Sequence, residues 1–189
     1  MIDLSRAKVN KRVPKNRFKA DLDGVDTVTW LYKISPETAD FRRGDAVEEI
    51  QIFGVAFKGD VNKKELTAIQ KSIPYPILFE AGGKSYFTVE GELFESARKF
   101  TDGDTLNVER RSAKLTDLFD GLSAAFIPIP KREGESIAEL VARYKQLTSL
   151  EKEIAALQRK VNTEKQPNIR IELNDELKLL KQRKEALNG

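Results

Sequence analysis

The chain has 189 residues, of which 40% are hydrophobic and 33% are charged, and its formal net charge is +3. It contains neither cysteine nor histidine, which excludes disulfides, thiolate and imidazole metal sites, Ser-His or Cys-His catalysis, and histidine-based pH switching. Any catalysis must therefore use Asp, Glu, Lys, Arg, Tyr, Ser or Thr, with a hard metal such as magnesium for phosphate chemistry. The length suits one ordinary domain plus an appendage.

The positive charge is concentrated at the N-terminus. Residues 1–20 contain seven basic side chains and one acidic side chain, a net charge of +6, so the remaining residues carry −3. We therefore predict a basic arm over residues 1–20, which either is a solvated terminus or binds a polyanion in a salt-sensitive way. The candidate residues for contact with nucleic acid or an acidic surface are Lys8, Lys11, Arg12, Lys15 and Arg17.

Residues 21–130 are predicted to form an α/β body with a small mixed or antiparallel sheet and flanking helices. β-Branched and aromatic residues favour strands over 25–34 and 46–58. Apolar residues three and four positions apart predict helices over 62–73 and 114–126, and a short helix after Pro14. The segment "GELFESARKF" is predicted as a short helix or an irregular segment, and "TLNVERR" as a further strand.

The motif Gly82-Gly83-Lys84-Ser85 resembles the end of a nucleotide-binding Walker loop. Such a loop needs another glycine five residues before the glycine of Gly-Lys-Ser, where this chain has Leu78 within a predicted strand. Alternating apolar residues on both sides of the two glycines instead predict a β-hairpin turn. We therefore interpret this motif as structural.

Residues 136–189 are rich in helix-forming residues and carry an apolar heptad pattern. Leu140, Leu147, Ile154 and Val161 recur every seven residues, and "TEKQPN" interrupts the pattern before a second apolar stripe. This pattern predicts an antiparallel coiled-coil hairpin, so the fold class is α+β. We predict that the hairpin binds a partner protein or a second copy, with the seam residues Leu147, Leu150, Ile154 and Leu157 as candidates.

An alternative hypothesis is a magnesium-dependent nuclease of the PD-(D/E)xK type with a degenerate motif. Such sites hold the metal with carboxylates around a strand and use a nearby lysine to assist the nucleophile. The candidates are Asp26, Asp45, Glu49, Gln51 and Lys58, but glutamine stands where the motif has lysine. Apart from this candidate nuclease site, the sequence indicates neither a metal nor a cofactor. We therefore favour a non-catalytic protein over an enzyme.

Several segments resemble one known family. "KVNKRVPKNRF", "TWLYKISPETADF", "VEEIQIFGVAFK", "SIPYPILFE" and "EKQPNIRIELNDELKLLKQ" occur in order along nearly the whole chain, and together they resemble the bacterial family catalogued as domain of unknown function 4391. The resemblance implies an accessory subunit of a DNA-directed anti-phage or restriction-like defence system, with a helicase or methyltransferase as its partner. The family supplies no catalytic residues.

The N-terminal sequence "MIDLSRAKVN" lacks the apolar core of a signal peptide, and no apolar run reaches transmembrane length. We therefore expect a cytoplasmic protein with no membrane contact. The two functional hypotheses, an adaptor that contacts nucleic acid and a metal-dependent nuclease, make different structural demands. The adaptor needs free cations on a surface, whereas the nuclease needs carboxylates that converge.

Overall fold

The structure is a computed structural model that describes residues 1–44 and 46–188. It divides the chain into two compact units, Met1–Ile127 and the residues from Pro128 onward. The first unit combines sheets and helices, and the second is a pair of helices, so the predicted α+β class is confirmed. Within the described residues, no helix is both long and apolar enough to cross a membrane.

The first unit contains two sheets. Strands β1 (Ile2–Asp3), β8 (Thr101–Asp102) and β9 (Thr105–Leu106) form a small sheet in the order β1-β9-β8. The larger sheet has the order β2-β3-β4-β5-β6-β7. Its strands are β2 (Lys8–Arg12), β3 (Val25–Ile34), β4 (Ile50–Phe57), β5 (Ile77–Ala81), β6 (Lys84–Val89) and β7 (Glu92–Ser96).

Strands β4 and β5 are parallel, and the other neighbouring pairs of the larger sheet are antiparallel. A parallel pair needs a crossover connection, which helix α1 (Lys63–Lys71) supplies. Asn62 caps its N-terminus, because the Asn62 side chain accepts a hydrogen bond from the Lys64 backbone N–H. Helix α2 (Leu115–Phe126) follows the small sheet, and its bounds differ by one residue from the predicted helix over 114–126.

The two faces of the larger sheet are covered by different helices. Phe53 and Phe79 belong to a buried cluster that includes Leu66 and Ile69 of α1. On the opposite face the Phe87 ring lies 5.6 Å from that of Phe126 at the end of α2. Central strands are therefore buried on both faces, which explains the nearly continuous apolar sequence of β4.

Gly82 and Gly83 form the predicted hairpin turn between β5 and β6. Their φ angles are +56° and +76°, and the flanking residues Ala81 and Lys84 are paired. Two consecutive positive φ angles define the type I′ turn, which glycine adopts without a steric cost. The motif that resembles a phosphate loop is thus a β-turn.

Two strands and one turn differ from the sequence prediction. The basic arm forms a 3-10 turn over Ser5–Ala7 and then strand β2, so it is part of the sheet. The helix predicted after Pro14 is wrong: a single 3-10 turn over Lys15–Arg17 ends where Phe18 adopts an extended conformation. The segment predicted as helical or irregular near Phe94 is strand β7, which Glu90 and Gly91 connect to β6 through another turn with positive φ.

The second unit is an antiparallel helical hairpin of α3 (Ile137–Thr163) and α4 (Pro167–Asn188). A capping box between Ser136 and Glu139 starts α3. Buried Leu157, Val161 and Leu177 form the apolar core between the helices. The Lys184 ammonium also pairs with the Glu151 carboxylate of the other helix at 2.8 Å.

Candidate nucleic-acid interface

Strand β2 places three of the five predicted basic residues along one edge of the larger sheet, and Lys15 and Arg17 follow in the next 3-10 turn. Its pairing with β3 sets Lys8 opposite Tyr32, Lys11 opposite Trp30 and Arg12 opposite Thr29. One extra residue lies between Lys8 and Lys11, where Asn10 has a φ of +46°. Because β2 is the end strand of the sheet, its outer edge has no neighbouring strand.

Some cations of this region are already paired. The Lys8 ammonium lies 3.1 Å from Oδ1 of Asp104 and, together with the Tyr32 hydroxyl, holds the pKa of that carboxyl below its usual value. The Arg6 guanidinium pairs with Asp40 at 3.0 Å. Lys15 donates hydrogen bonds from Nζ to the carbonyl oxygens of Leu22 and Val25, at 3.2 and 2.8 Å. These cations stabilise the fold as well as adding charge.

The remaining cations are exposed and free. In the part of the chain that the structure describes, no acidic side chain or backbone carbonyl pairs with the side chains of Lys11, Arg12, Arg17 or Lys19. An exposed basic edge protects a sheet from pairing with another chain. Four unneutralised charges within nine residues also attract a polyanion.

An aromatic cavity of about 240 Å³ opens beside these cations. Trp30 and Phe53 line it with their rings stacked, the centroids 6.2 Å apart and the planes at 18°. The Trp30 Nε1–H donates a hydrogen bond to the Tyr32 carbonyl oxygen at 3.0 Å, which fixes the indole. Arg17 and Tyr75 also line the cavity.

A second, polar cavity of about 250 Å³ shares Tyr75 with the first. The Lys33 ammonium lies 3.0 Å from Oε2 of buried Glu49, and this hydrogen bond raises the pKa of Lys33. The Gln51 amide N–H donates to the other Glu49 oxygen. The Arg42 and Arg43 side chains also line this cavity.

The structure does not bring the candidate nuclease residues together. Glu49 and Gln51 lie where β4 begins, and Lys33 pairs with Gln51 in register. Asp26 is exposed, seven residues before Lys33 on the same strand, so it lies about 20 Å away at 3.3 Å per residue.

Lys58 lies at the same end as Asp26, since its backbone N–H donates to the Gly24 carbonyl oxygen at 2.9 Å. Asp45 lies outside the described residues. Among the residues that are described, no three acidic side chains are grouped so that they could hold a metal ion.

The predicted partner-binding residues lie along the hairpin helix α3. Leu147, Leu150 and Leu157 are buried, and Ile154 is partly buried. Large apolar side chains are instead exposed on α4, where Ile171 is 61% and Leu179 is 66% exposed. A partner that docks on α4 would meet these two residues, two turns apart.

The sequence predicted the cations but not the cavity beside them. Trp30 was assigned to a strand, and Tyr75 was not singled out. Both residues reach one cavity only because β3 pairs with β4 and α1 returns the chain to the parallel strand β5. The available signal was the sequence Pro74-Tyr75-Pro76 shortly after α1, in which a partly buried tyrosine lies between two prolines.

The family resemblance is confirmed by comparison with family models. The model described as "Domain of unknown function (DUF4391)" matches residues 5–93 and 84–183, so the chain belongs to this family. No curated protein and no solved structure matches the chain. The family description carries no activity.

Proposed function

We propose that the protein is a non-catalytic accessory subunit that binds nucleic acid along the β2 edge and a protein partner through its helical hairpin. The observation that carries the first half is the free state of four exposed cations, Lys11, Arg12, Arg17 and Lys19, beside an aromatic cavity. Cations that already have protein partners add little to binding because those partners must first be released. Free cations release only counterions from the nucleic acid.

The site also argues for binding rather than chemistry. Glu49, which directly precedes β4, is held by Lys33 and Gln51. Asp26 and Lys58 lie at the opposite end of the strand pair. As the protein partner we propose a helicase or methyltransferase of a DNA-directed defence system. A non-catalytic binding subunit suits such an enzyme.

The first test is the salt dependence of nucleic-acid binding. Replacing the four free cations with alanine should reduce the slope of log K against log salt by about 2.8 for a single strand, since each contact contributes about 0.7. Fluorescence anisotropy with a labelled oligonucleotide measures this slope. A variant with an unchanged slope would show that the β2 edge does not bind nucleic acid.

The hairpin supplies a control with the same change of charge. Lys152, Lys165, Lys178 and Arg183 are exposed, and none has an ion-pair partner among the described residues. Replacing these four with alanine should leave the slope unchanged. If both quadruple variants lose the same slope, binding follows net charge and the β2 edge has no special part in it.

The second test concerns the hairpin. Leu150 and Leu157 are buried, so charging them would unfold the hairpin and would not report on docking. Ile171→Glu with Leu179→Glu changes exposed residues of α4 and should preserve the helical circular-dichroism signal. We expect this variant to lose self-association, as measured by light scattering, or to fail to capture the helicase or methyltransferase. Retention of both would contradict docking through α4.

A further inference from the structure

We infer that the aromatic cavity beside Trp30 takes one unpaired nucleobase, so that the ligand of this surface is single-stranded nucleic acid. The inference rests on the proposed binding of nucleic acid by the β2 edge and adds the form of the ligand. Four features of the cavity and its surroundings carry it: the shared face of Lys11 and Trp30, the fixed indole, the polar group at the cavity wall, and the second cavity beyond Tyr75.

Lys11 and Trp30 are cross-strand partners, as are Trp30 and Phe53. Paired residues of antiparallel strands project from the same face, with Cβ atoms about 5 Å apart. Lys11 therefore lies on the same face of the sheet as Trp30, directly opposite it, and Arg17 lines the aromatic cavity. A nucleotide presents the same combination, a flat apolar base with a phosphate on either side of its sugar.

The indole of Trp30 is already held in place. Phe53, which is buried, stacks with Trp30, and the Nε1–H is used by the Tyr32 carbonyl oxygen. Trp30 nevertheless remains partly exposed. A fixed ring with an accessible surface provides a stacking platform at little cost in side-chain entropy.

Gln51 provides a polar group in this wall. Its side chain is buried, lines the cavity, and donates its amide N–H to Glu49. The amide oxygen remains an acceptor, which suits an amino or imino N–H on a base edge. An apolar peptide side chain would leave this acceptor without a partner, whereas a base satisfies it.

Duplex nucleic acid keeps its bases stacked and paired, so only an unpaired base can enter a cavity of this kind. Beyond the shared residue Tyr75, the second cavity is lined by Arg42 and by two cations that are already paired, Lys33 with Glu49 and Arg43 with Glu37. A strand that passes Tyr75 therefore gains one further cation, Arg42, that has no acidic partner among the described residues. A rigid duplex gains only the phosphate contacts.

Trp30 is the only tryptophan of the chain, so its fluorescence reports on the cavity directly. The probes are an oligothymidylate, an abasic strand with the same number of phosphates, and a duplex of matched charge. We expect the oligothymidylate to quench Trp30 fluorescence and to bind roughly five- to 150-fold more tightly than the abasic strand, which corresponds to one stacked base.

Three results would overturn the inference. They are equal affinity for the abasic and thymidine strands, quenching by the duplex as strong as by the single strand, and quenching by a proline-rich peptide in place of the oligonucleotide. The last result would assign the cavity to a peptide, since such segments also dock on aromatic grooves. If all three nucleic acids bind equally and the Lys11/Arg17 double substitution abolishes that binding, the proposed function survives and the base site fails.

Two variants test the same point without relying on fluorescence. Tyr75→Ala removes a partly exposed wall of the cavity, and Trp30→Phe keeps an aromatic ring of smaller area. Each should lower affinity for the thymidine strand but not for the abasic strand. Trp30→Phe should also lower the melting temperature somewhat, because it removes the hydrogen bond from the indole to the Tyr32 carbonyl oxygen. A parallel loss for both strands would indicate a general effect on charge or folding, and would contradict a stacked base.

Discussion

The two edges of the larger sheet carry charge in different ways. At the β7 edge, the Glu95 carboxylate lies 2.6 Å from the Lys63 ammonium and 2.5 Å from that of Lys84. At the β2 edge, Lys11 and Arg17 are exposed without such partners. The β7 charges are neutralised within the protein, whereas the β2 charges remain available to a ligand.

This difference separates two uses of charge in one sheet. Both edges are protected from pairing with another strand, because charged side chains occupy them. The β7 cations share one acidic partner, whereas the exposed β2 cations have none among the described residues and so attract a polyanion more strongly. Charge composition alone would not distinguish the two edges, but the pairing of each side chain does.

Reversing two charges at each edge should give opposite results, and this is the largest effect that we expect. Lys11→Glu with Arg17→Glu should lower single-strand affinity by at least roughly 25-fold at 0.1 M salt, the loss expected from two phosphate contacts. The melting temperature should change little, because both side chains are unpaired. Anisotropy titration and thermal unfolding measure the two quantities.

The matched variant at the other edge is Lys63→Glu with Lys84→Glu. Three carboxylates would then meet around Glu95, so the free energy of unfolding should fall by about 1–2 kcal/mol. Affinity for the strand should remain within about twofold of the wild-type value. If this variant instead weakens binding as strongly as the β2 variant, the two edges do not differ in function.

Glu95→Gln tests the neutralised edge by itself. The hydrogen bonds from Lys63 and Lys84 lower the pKa of Glu95 below its ordinary value of 4.5. A depressed pKa contributes stability above the unfolded value of about 4.5, and this stability is lost as pH falls through the folded value.

We therefore expect the variant to be less stable by about 1 kcal/mol at pH 7 and low salt. The difference from the wild type should shrink as the pH is lowered below 4.5 and disappear once the pH is below the depressed pKa of Glu95 in the folded state. Urea titrations at several pH values measure it. A difference that is constant with pH would show that lost packing, and not the ion pairs, is responsible.

Lys8→Ala compares a paired and a free cation on the same strand, and it should have the smallest effect. Lys11→Ala removes one free cation and should weaken binding about fivefold at 0.1 M salt. Lys8 is held by Asp104, so its removal should weaken binding no more than about twofold. Equal losses would mean that Lys8 leaves Asp104 when the ligand binds.

Sequence patterns predicted most elements whose residues alternate or repeat regularly. Strand β3 has the predicted bounds, and the Gly82-Gly83 turn and the helical hairpin are where the pattern placed them. Strand β2 was missed because "KVNKR" is nearly all polar, as an edge strand permits. Strand β7 was missed because the turn before it places Glu90, which is not a glycine, at positive φ.

The candidate site was predictable only in part. A run of basic residues identifies a charged surface, but it does not show which cations the fold neutralises. Lys8 and Lys15 are bound by groups 96 and 7 to 10 residues away, respectively. The cavity depends on bringing Trp30, Phe53 and Tyr75 together across two strand connections, and no local pattern encodes it.

Leu31 lies between two residues, Trp30 and Tyr32, that project from opposite faces of the sheet. It is the extra residue of a bulge, because Trp30 pairs with Phe53 while Tyr32 pairs with the adjacent residue Ile52. Two residues that would normally share a face are thereby separated: Trp30 joins the cavity, and Tyr32 reaches Asp104 of the small sheet. Removing Leu31 would make Trp30 and Tyr32 adjacent residues opposite Phe53 and Ile52, and adjacent strand residues also point to opposite faces, so the deletion should straighten β3 while keeping Trp30 at the cavity and Tyr32 at the small sheet.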